Sequence, residues 1–295
     1  MNPMILVTKL RPVVVPSLPP ALDATVTAMR PSGRRLAVIT VAPLPGAADH
    51  TSINAAIAEG RMIQQAKMTA EGRTQATPND RIDIIIREGS YAETVDLHDW
   101  INLYGEGSAK VTITQLNSNA KRGTFEGAHA GYIEGVRIVR STSALAVTVY
   151  PVHSATEHTS IWVDVIFDHQ TAAQSAFGSD GGDNGYTCFY RCRFVGGTNI
   201  HGSIAQNTAK TVAYIMCVGL YSLGWNAYNE TSPDHIWVVG TTAASITIFG
   251  AATKLHVSGS TISGAITTNG TQDTRSDWPV PTGGLSAYDR AFYGM

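Results

Sequence analysis

From residue 81 onward the chain is a succession of short β-forming runs: "IDIIIREGSY", "INLYGEG", "KVTITQL", "GYIEGVRIV", "IWVDVIFDH", "TCFYRCRFVG", "TVAYIMCVGL", "HIWVVGTT", "SITIFGAA" and "KLHVSGSTI". Gly, Asn, Ser and Thr separate them. Grouped by their turns, the runs recur in units of roughly 18 to 30 residues, the range of a solenoid. A unit this short cannot bury its own apolar face, so a core forms only when neighbours stack. The runs are β-branched and often apolar on both sides of a turn, which suits parallel strands bonded to the units above and below. Hairpin dipeptides such as Asn-Gly between close strand pairs are mostly missing. The expected fold is therefore all-β, a parallel β-helix spanning residues 81–272 in about seven or eight turns.

Two internal correspondences agree with stacking. Cys192 in "YRCRF" and Cys217 in "IMCVG" occupy like contexts, which places one above the other inside. Ile-Trp-Val occurs at 161–163 and again at 236–238.

The flanks differ in composition. Eight of the 13 prolines fall before residue 46, which sets apart residues 1–47 as a Pro-rich assembly arm. Within it "ATVTAMRPSGRRLAVITV" reads as a hairpin around Pro31-Ser32-Gly33. Residues 48–80 follow as a capping helix and linker. Ile53, Ala56, Ile57, Ile63 and Ala66 recur at helical spacing, and Thr51 or Ser52 can cap the start. The spacing predicts a helix near 52–69 that plugs the open first turn, with a break at Gly60 as an alternative. Residues 273–295, rich in Gly, Pro and aromatics, read as a C-terminal docking tail.

Composition narrows the partners. Net charge is −2 with no run of Lys or Arg, so nucleic acid is not an expected partner. No apolar stretch approaches the roughly 18 residues a membrane span needs, so no membrane insertion is expected. Lys9, Arg11 and repeated prolines interrupt the N-terminal apolar runs, and no signal peptide is read there. Charged residues make up only 15%, leaving a surface of Ser, Thr, Asn, Gln and Gly such as sugar-facing proteins carry. Three cysteines are too few for a disulfide framework and are expected as buried thiols.

At several stretches the sequence resembles the pectin methylesterase family. These are "TSINAAI", "IREGSYAETVDL", "INLYGEGSAKVTIT", "WVDVIFDHQ" and "TCFYRCRFVGG". The likeness runs over roughly residues 49–200 and weakly over 244–262. It implies a right-handed parallel β-helix, a fold shared with pectate-lyase-like proteins and many phage tail proteins. The ester chemistry needs a carboxylate nucleophile, a protonated carboxyl as general acid and oxyanion donors. By the resemblance, Thr198 stands in the oxyanion Gln position and Asn199 in that of the acid. Ile246 stands in the nucleophile position, and Gln174 alone fits the family's other Gln. The Gly-Arg-Pro-Trp motif is absent. Gln272-Asp273-Thr274 has the family's Gln-Asp-Thr order, but reads as a coincidence outside any β-pattern. No catalytic residue of the family is therefore assigned.

Other features carry candidate sites beside plainer readings. In "FGSDGGDNGY", Asp180 and Asp183 with Asn184 offer oxygens for calcium, but a solvated turn is the preferred reading and no cofactor is expected. Asp164, Asp168, Arg191 and Arg193 lie in adjacent units. They read either as a lyase or hydrolase site or as pairs across the ladder. His153, His158, His169 and His201 read as surface or turn residues. Trp225 and Tyr228, in the polar loop "GWNAYNETSPDH", are the preferred ligand contacts. Trp162 and Trp237 are also candidate stacking platforms, with burial at a coil corner as the alternative.

These features resemble a phage tail spike or minor tail protein. The implied role is a homotrimeric virion tail subunit, assembled in the host cytoplasm with other tail proteins and binding cell-surface polysaccharide. A polysaccharide lyase or glycoside hydrolase with a relocated site, and a purely structural subunit, are the alternatives.

Overall fold

A computed structural model describes residues 35–114, 124–127, 130–140, 149–151, 158–169, 185–196, 200–204, 210–219, 223–227, 235–248, 254–268 and 271–273. Short β-branched runs that return to the same side of the coil build one long sheet of ten strands. In order they are Ala37–Val41, Ile82–Ile86, Ile101–Gly105, Gly131–Glu134, His158–Val163, Gly185–Tyr190, Lys210–Ile215, His235–Val239, Lys254–Ser258 and Thr271–Asp273. Strand pairs in the described residues are parallel throughout. Register partners lie 30 residues apart at Leu103 and Ile133 and 17 apart at His256 and Asp273, close to the spacing read from the turns. Shorter parallel ladders close the other sides of each coil, among them the five strands that include Gly89–Ala92, Ile166–His169 and Arg193–Gly196. The architecture is a parallel β-helix.

Two sequence expectations change at the ends of the long sheet. Ala37–Val41, expected as half of a hairpin, pairs in parallel with Ile82–Ile86. The β-helix thus reaches into the Pro-rich stretch, because this strand's alternating Ile39 and Val41 bury into the same core. The other half of the hairpin lies outside the described residues. At the far end, Thr271–Asp273, read as lying outside any β-pattern, pairs with Lys254–His256 and is the last strand of the sheet.

The interior is built of stacked rows. Trp162, Phe189 and Tyr214 are register partners on the inner face, and Phe189 and Tyr214 stack with ring centroids 5.0 Å apart. Phe167 and Phe194 form a second stack at 4.9 Å. Cys192 and Cys217 are fully buried at successive corners, where their thiols donate to the carbonyls of Trp162 and Phe189 at 3.3 Å. Burial and the neighbouring Cys217 push the Cys192 thiol well above its ordinary range. The two Ile-Trp-Val copies are one residue out of step. Ile161 aligns through Cys188 and Ala213 with Trp237, so Trp162 points inward and Trp237 outward. In a strand a one-residue slip reverses the face of every side chain.

The first coil is sealed by helix α1, Ile53–Ala70. Ser52 is its N-cap, with Oγ accepting from the Ala55 amide at 3.3 Å. Ile53, Ala56, Ile57 and Met68 are buried, whereas Ala66 is exposed and the buried position on its turn is taken by Gln64. Gln64 Nε2 donates to the carbonyls of Asp80 at 3.1 Å and Asp99 at 3.2 Å, tying the helix to the coil beneath it. The helix does not break at Gly60. A Cβ there would sit 3.1 Å from Ile82 Cγ2, so the glycine serves close packing of helix on sheet.

The Gly-x-Tyr-x-Glu motif holds this cap in place. Glu93 Oε1 accepts from the Ile53 amide at 2.8 Å, and Oε2 accepts from the Asn54 amide at 3.1 Å and the Ser52 hydroxyl at 2.9 Å. A carboxylate at a helix N-terminus satisfies open amides and meets the positive end of the dipole. Asn54 reaches back, donating to the Thr94 carbonyl at 2.6 Å and accepting from the Asp96 amide at 3.0 Å. The buried Tyr91 hydroxyl donates to the Arg87 carbonyl at 2.9 Å. Gly89 has φ +154°, and a Cβ there would meet Pro43 at 2.6 Å. In "YGEG", Gly105 faces Gly135 so closely that a Cβ would stand 2.3 Å from the Gly135 carbonyl oxygen.

At the other end of α1 the fully buried Asp80 carboxylate receives Lys67 Nζ at 2.6 Å, Arg73 Nη1 at 2.7 Å and the Thr77 amide at 2.7 Å. Burial alone would raise its pKa, but these partners outweigh it and hold the carboxyl well below its usual value of 3.8. A depressed pKa contributes stability that is present above roughly pH 5 and is lost as the pH falls through the folded value. Asp80→Asn is therefore expected to lower unfolding stability by about 2–3 kcal/mol at pH 7. In urea titrations the gap to wild type should narrow from pH 6 to pH 3.

Glu93→Ala should cost about 1–2 kcal/mol and raise amide exchange first at the start of α1. Equal protection in variant and wild type would show that Glu93 does not hold the cap. Cys192 and Cys217 should react with Ellman's reagent only after denaturation.

Candidate functional site

The long sheet has one face in the core and one turned outward. Alternation places Tyr104, Tyr132, Ile161, Val163, Cys188, Tyr190, Ala213, Ile215, Trp237 and Val239 together as an apolar and aromatic cluster on the outer face. Tyr104 and Tyr132 pack at 5.4 Å between ring centroids.

At the N-terminal end this face becomes polar. Asp83, almost fully buried, accepts from Asn102 Nδ2 at 3.0 Å; Arg81 Nε lies 3.1 Å from it and Arg35 Nη1 3.5 Å. Asn102 Oδ1 accepts from the Tyr132 amide at 2.9 Å. Burial, with the charges of Asp83 and Glu134, pushes the Tyr104 hydroxyl well above its ordinary range, so it stays a neutral donor. With its oxygens engaged by Arg81, Arg35 and Asn102, the Asp83 carboxylate is a fixed acceptor and not a free nucleophile. The sequence signal for this patch was a polar residue at the same place in "IDIII" and "INLYG"; register makes Asp83 and Asn102 direct partners.

Along the corner where each long-sheet strand ends runs a column of residues in the left-handed conformation. It comprises Gly135 (φ 68°), Asp164 (51°), Arg191 (52°), Met216 (53°), Gly240 (55°) and Gly259 (56°). Stacked amides hold it: Gly135 donates to the Val163 carbonyl at 3.0 Å, Asp164 to Tyr190 at 3.0 Å, Arg191 to Ile215 at 2.9 Å and Met216 to Val239 at 2.8 Å. Arg191 Nη2 donates to Asp164 Oδ2, the pairing across the ladder that the sequence offered as one reading. The Arg191 guanidinium also lies 4.9 Å over the Tyr190 ring. Burial would lower the Arg191 pKa, but the Asp164 hydrogen bond and charge raise it overall. Asp168 is paired instead with Arg137, whose Nε lies at 3.1 Å.

The aromatic candidates fare differently. Trp162 is fully buried and its Nε1 donates to Ser160 Oγ at 2.8 Å, so it offers no ring to a ligand; its register puts it in the core. Trp237 is on the outer face but only 7% exposed, stacked on His256 at 3.8 Å. Trp225 is not in a loop: its backbone belongs to Leu223–Ala227, in ladder with Gly202 and Ile248. Tyr228, Asp180 and Asp183 lie outside the described residues, as do Gln174, Thr198 and Asn199. Among the described residues no three His, Cys, Asp or Glu side chains converge on a metal position. Ile246, at the position matched to the ester nucleophile, is fully buried in the core.

No protein-family model matches the sequence, and no curated protein matches it. Among solved structures the chain is similar to a pectin methylesterase from carrot, at 17% identity over 81% of this chain and 88% of that one, with a TM-score of 0.43. It is also similar to the pectin methylesterase PemA from Erwinia chrysanthemi, at 14% identity over 80% and 81% of the two chains, with a TM-score of 0.43.

Proposed function

We propose that this chain is a carbohydrate-binding β-helix without methylesterase activity, acting as a surface-recognition subunit of a virion tail. The observation that carries the binding reading is the outer face of the long sheet. Beside its buried rings lies a partly exposed polar margin of Tyr104, Glu134, Asp164 and Arg191. Fixed donors and acceptors on a rigid sheet, beside rings, suit hydroxyl-rich ligands. Against ester chemistry stands Ile246: an alkyl side chain buried in the core cannot attack an acyl carbon.

The tail role rests on the uneven sequence. Proline is concentrated before residue 46 and Gly, Pro and aromatics after residue 273, and a chain that gains stability from neighbours links folding to assembly. A homotrimer held by its termini in a larger particle, with the β-helix side toward cell-surface polysaccharide, fits that distribution.

Binding to a glycan array without release of methanol from pectin, unsaturated sugar or reducing ends is the expected result. Turnover of any of these substrates by the purified protein would replace the binding reading with the enzyme reading. Deletion of residues 1–34, which stops short of Ala37–Val41, should leave a folded β-helix that no longer oligomerises. Unchanged oligomerisation on light scattering would remove the assembly role of the arm.

A further inference from the structure

The left-handed column poses a choice that glycine resolves at some levels and not at others. Gly135 is required there, because a Cβ would stand 2.7 Å from the Gly105 carbonyl oxygen. At Gly240 and Gly259 space is open, the nearest atoms being at 3.5 Å and 4.0 Å, yet glycine is used for the backbone angle. Between them, three successive coils hold the same angle with Asp164, Arg191 and Met216. Each of these carries a Cβ in a conformation that disfavours one, and a strained backbone is retained where the side chain serves a purpose.

Packing accounts for Met216, whose half-buried side chain lies against the outer apolar cluster, but not for Asp164 and Arg191. The side chains of Asp164 and Arg191 are 38% and 48% exposed, and a surface ion pair contributes little to stability. What the arrangement does produce is a fixed donor and acceptor side by side. Tyr190 backs the guanidinium, Asp164 orients it, and Met216 occupies the next level of the column. Among the described residues the two side chains make no other hydrogen bond, so the second carboxylate oxygen and the remaining guanidinium N–H groups face outward. Neighbouring hydroxyls of a sugar both donate and accept, and match such a pair. The half-buried Met216 side chain, packed against the outer apolar cluster, gives the pair an apolar flank.

We infer that Asp164, Arg191 and Met216 form a binding site for a neutral, hydroxyl-rich glycan laid along the corner of the long sheet. The charge environment selects the class. Asp164 pairs with Arg191 and cancels its charge, so the pair leaves no net positive charge to draw an anionic polysaccharide. This inference rests on the reading of the protein as a carbohydrate binder and adds the site and the glycan class.

Affinity electrophoresis of the full chain through gels containing dextran, mannan or galactan, and in parallel polygalacturonate or alginate, tests it. Wild type should be retarded by at least one neutral polymer and by neither acidic one. Arg191→Gly and Asp164→Gly should each weaken that retardation at least tenfold while raising the thermal midpoint, since glycine relieves the backbone. Asp164→Asn, which tolerates the left-handed angle, gives the same binding loss if a glycine variant folds poorly. Retardation by a neutral polymer that survives all three substitutions overturns the site and leaves the carbohydrate reading standing. Retardation by acidic polymers alone overturns the glycan class. No retardation by any polymer overturns the carbohydrate reading itself.

Discussion

Each coil of this protein completes its backbone hydrogen bonds only through the coils above and below. Amides continue the ladder around the corner, as Asp164 to Tyr190 and Arg191 to Ile215 show. The cost falls on the ends, where a strand has one neighbour and an open edge. At the N-terminal end the outward side of Ala37–Val41 is answered by the chain that follows it. The Asp49 carboxylate accepts from the Thr40 amide at 2.8 Å and from its hydroxyl at 2.7 Å, while the His50 amide donates to the Thr40 carbonyl. Those bonds lower the Asp49 pKa, so the plug carries a charge as well as filling the edge. Helix α1 then covers the apolar mouth, pinned at one terminus by Glu93 and at the other by Asp80.

Stacking also explains why like residues recur in rows. A row of rings through Trp162, Phe189 and Tyr214 fills the coil at three successive levels, and two thiols fill the corner beside it. The same geometry makes an outward row as orderly as an inward one. Asp83 over Asn102, and Asp164 over Arg191, are pairs made by register between residues 19 and 27 apart in sequence. A solenoid thus presents side chains at a spacing set by its strands, on a support capped by α1.

The motifs that resemble an esterase family do structural work in this chain. Gly89, Tyr91 and Glu93 fasten the cap, and Gly105 with Gly135 allows two turns to touch. The first coil makes these demands on the motifs whatever the rest of the chain does.

Periodicity and residue type by themselves determined the solenoid, its parallel strands, the capping helix that starts after Thr51 or Ser52, and the stacked Cys192 and Cys217. These follow from local rules: β-branched runs, turn residues, helical spacing and the need of short units for neighbours. What only the tertiary structure decided is which face each residue takes. Ile-Trp-Val reads the same at both places, yet a one-residue difference in register buries Trp162 among rings and turns Trp237 outward. Ala37–Val41 was legible as a strand but its parallel partner was not, and Thr271–Asp273 became a strand because a neighbouring ladder extended onto it. The left-handed backbone of Asp164, Arg191 and Met216 was equally silent in the sequence. Glycine advertises that conformation, whereas a residue with a side chain is held in it only by the hydrogen bonds of the coils on either side.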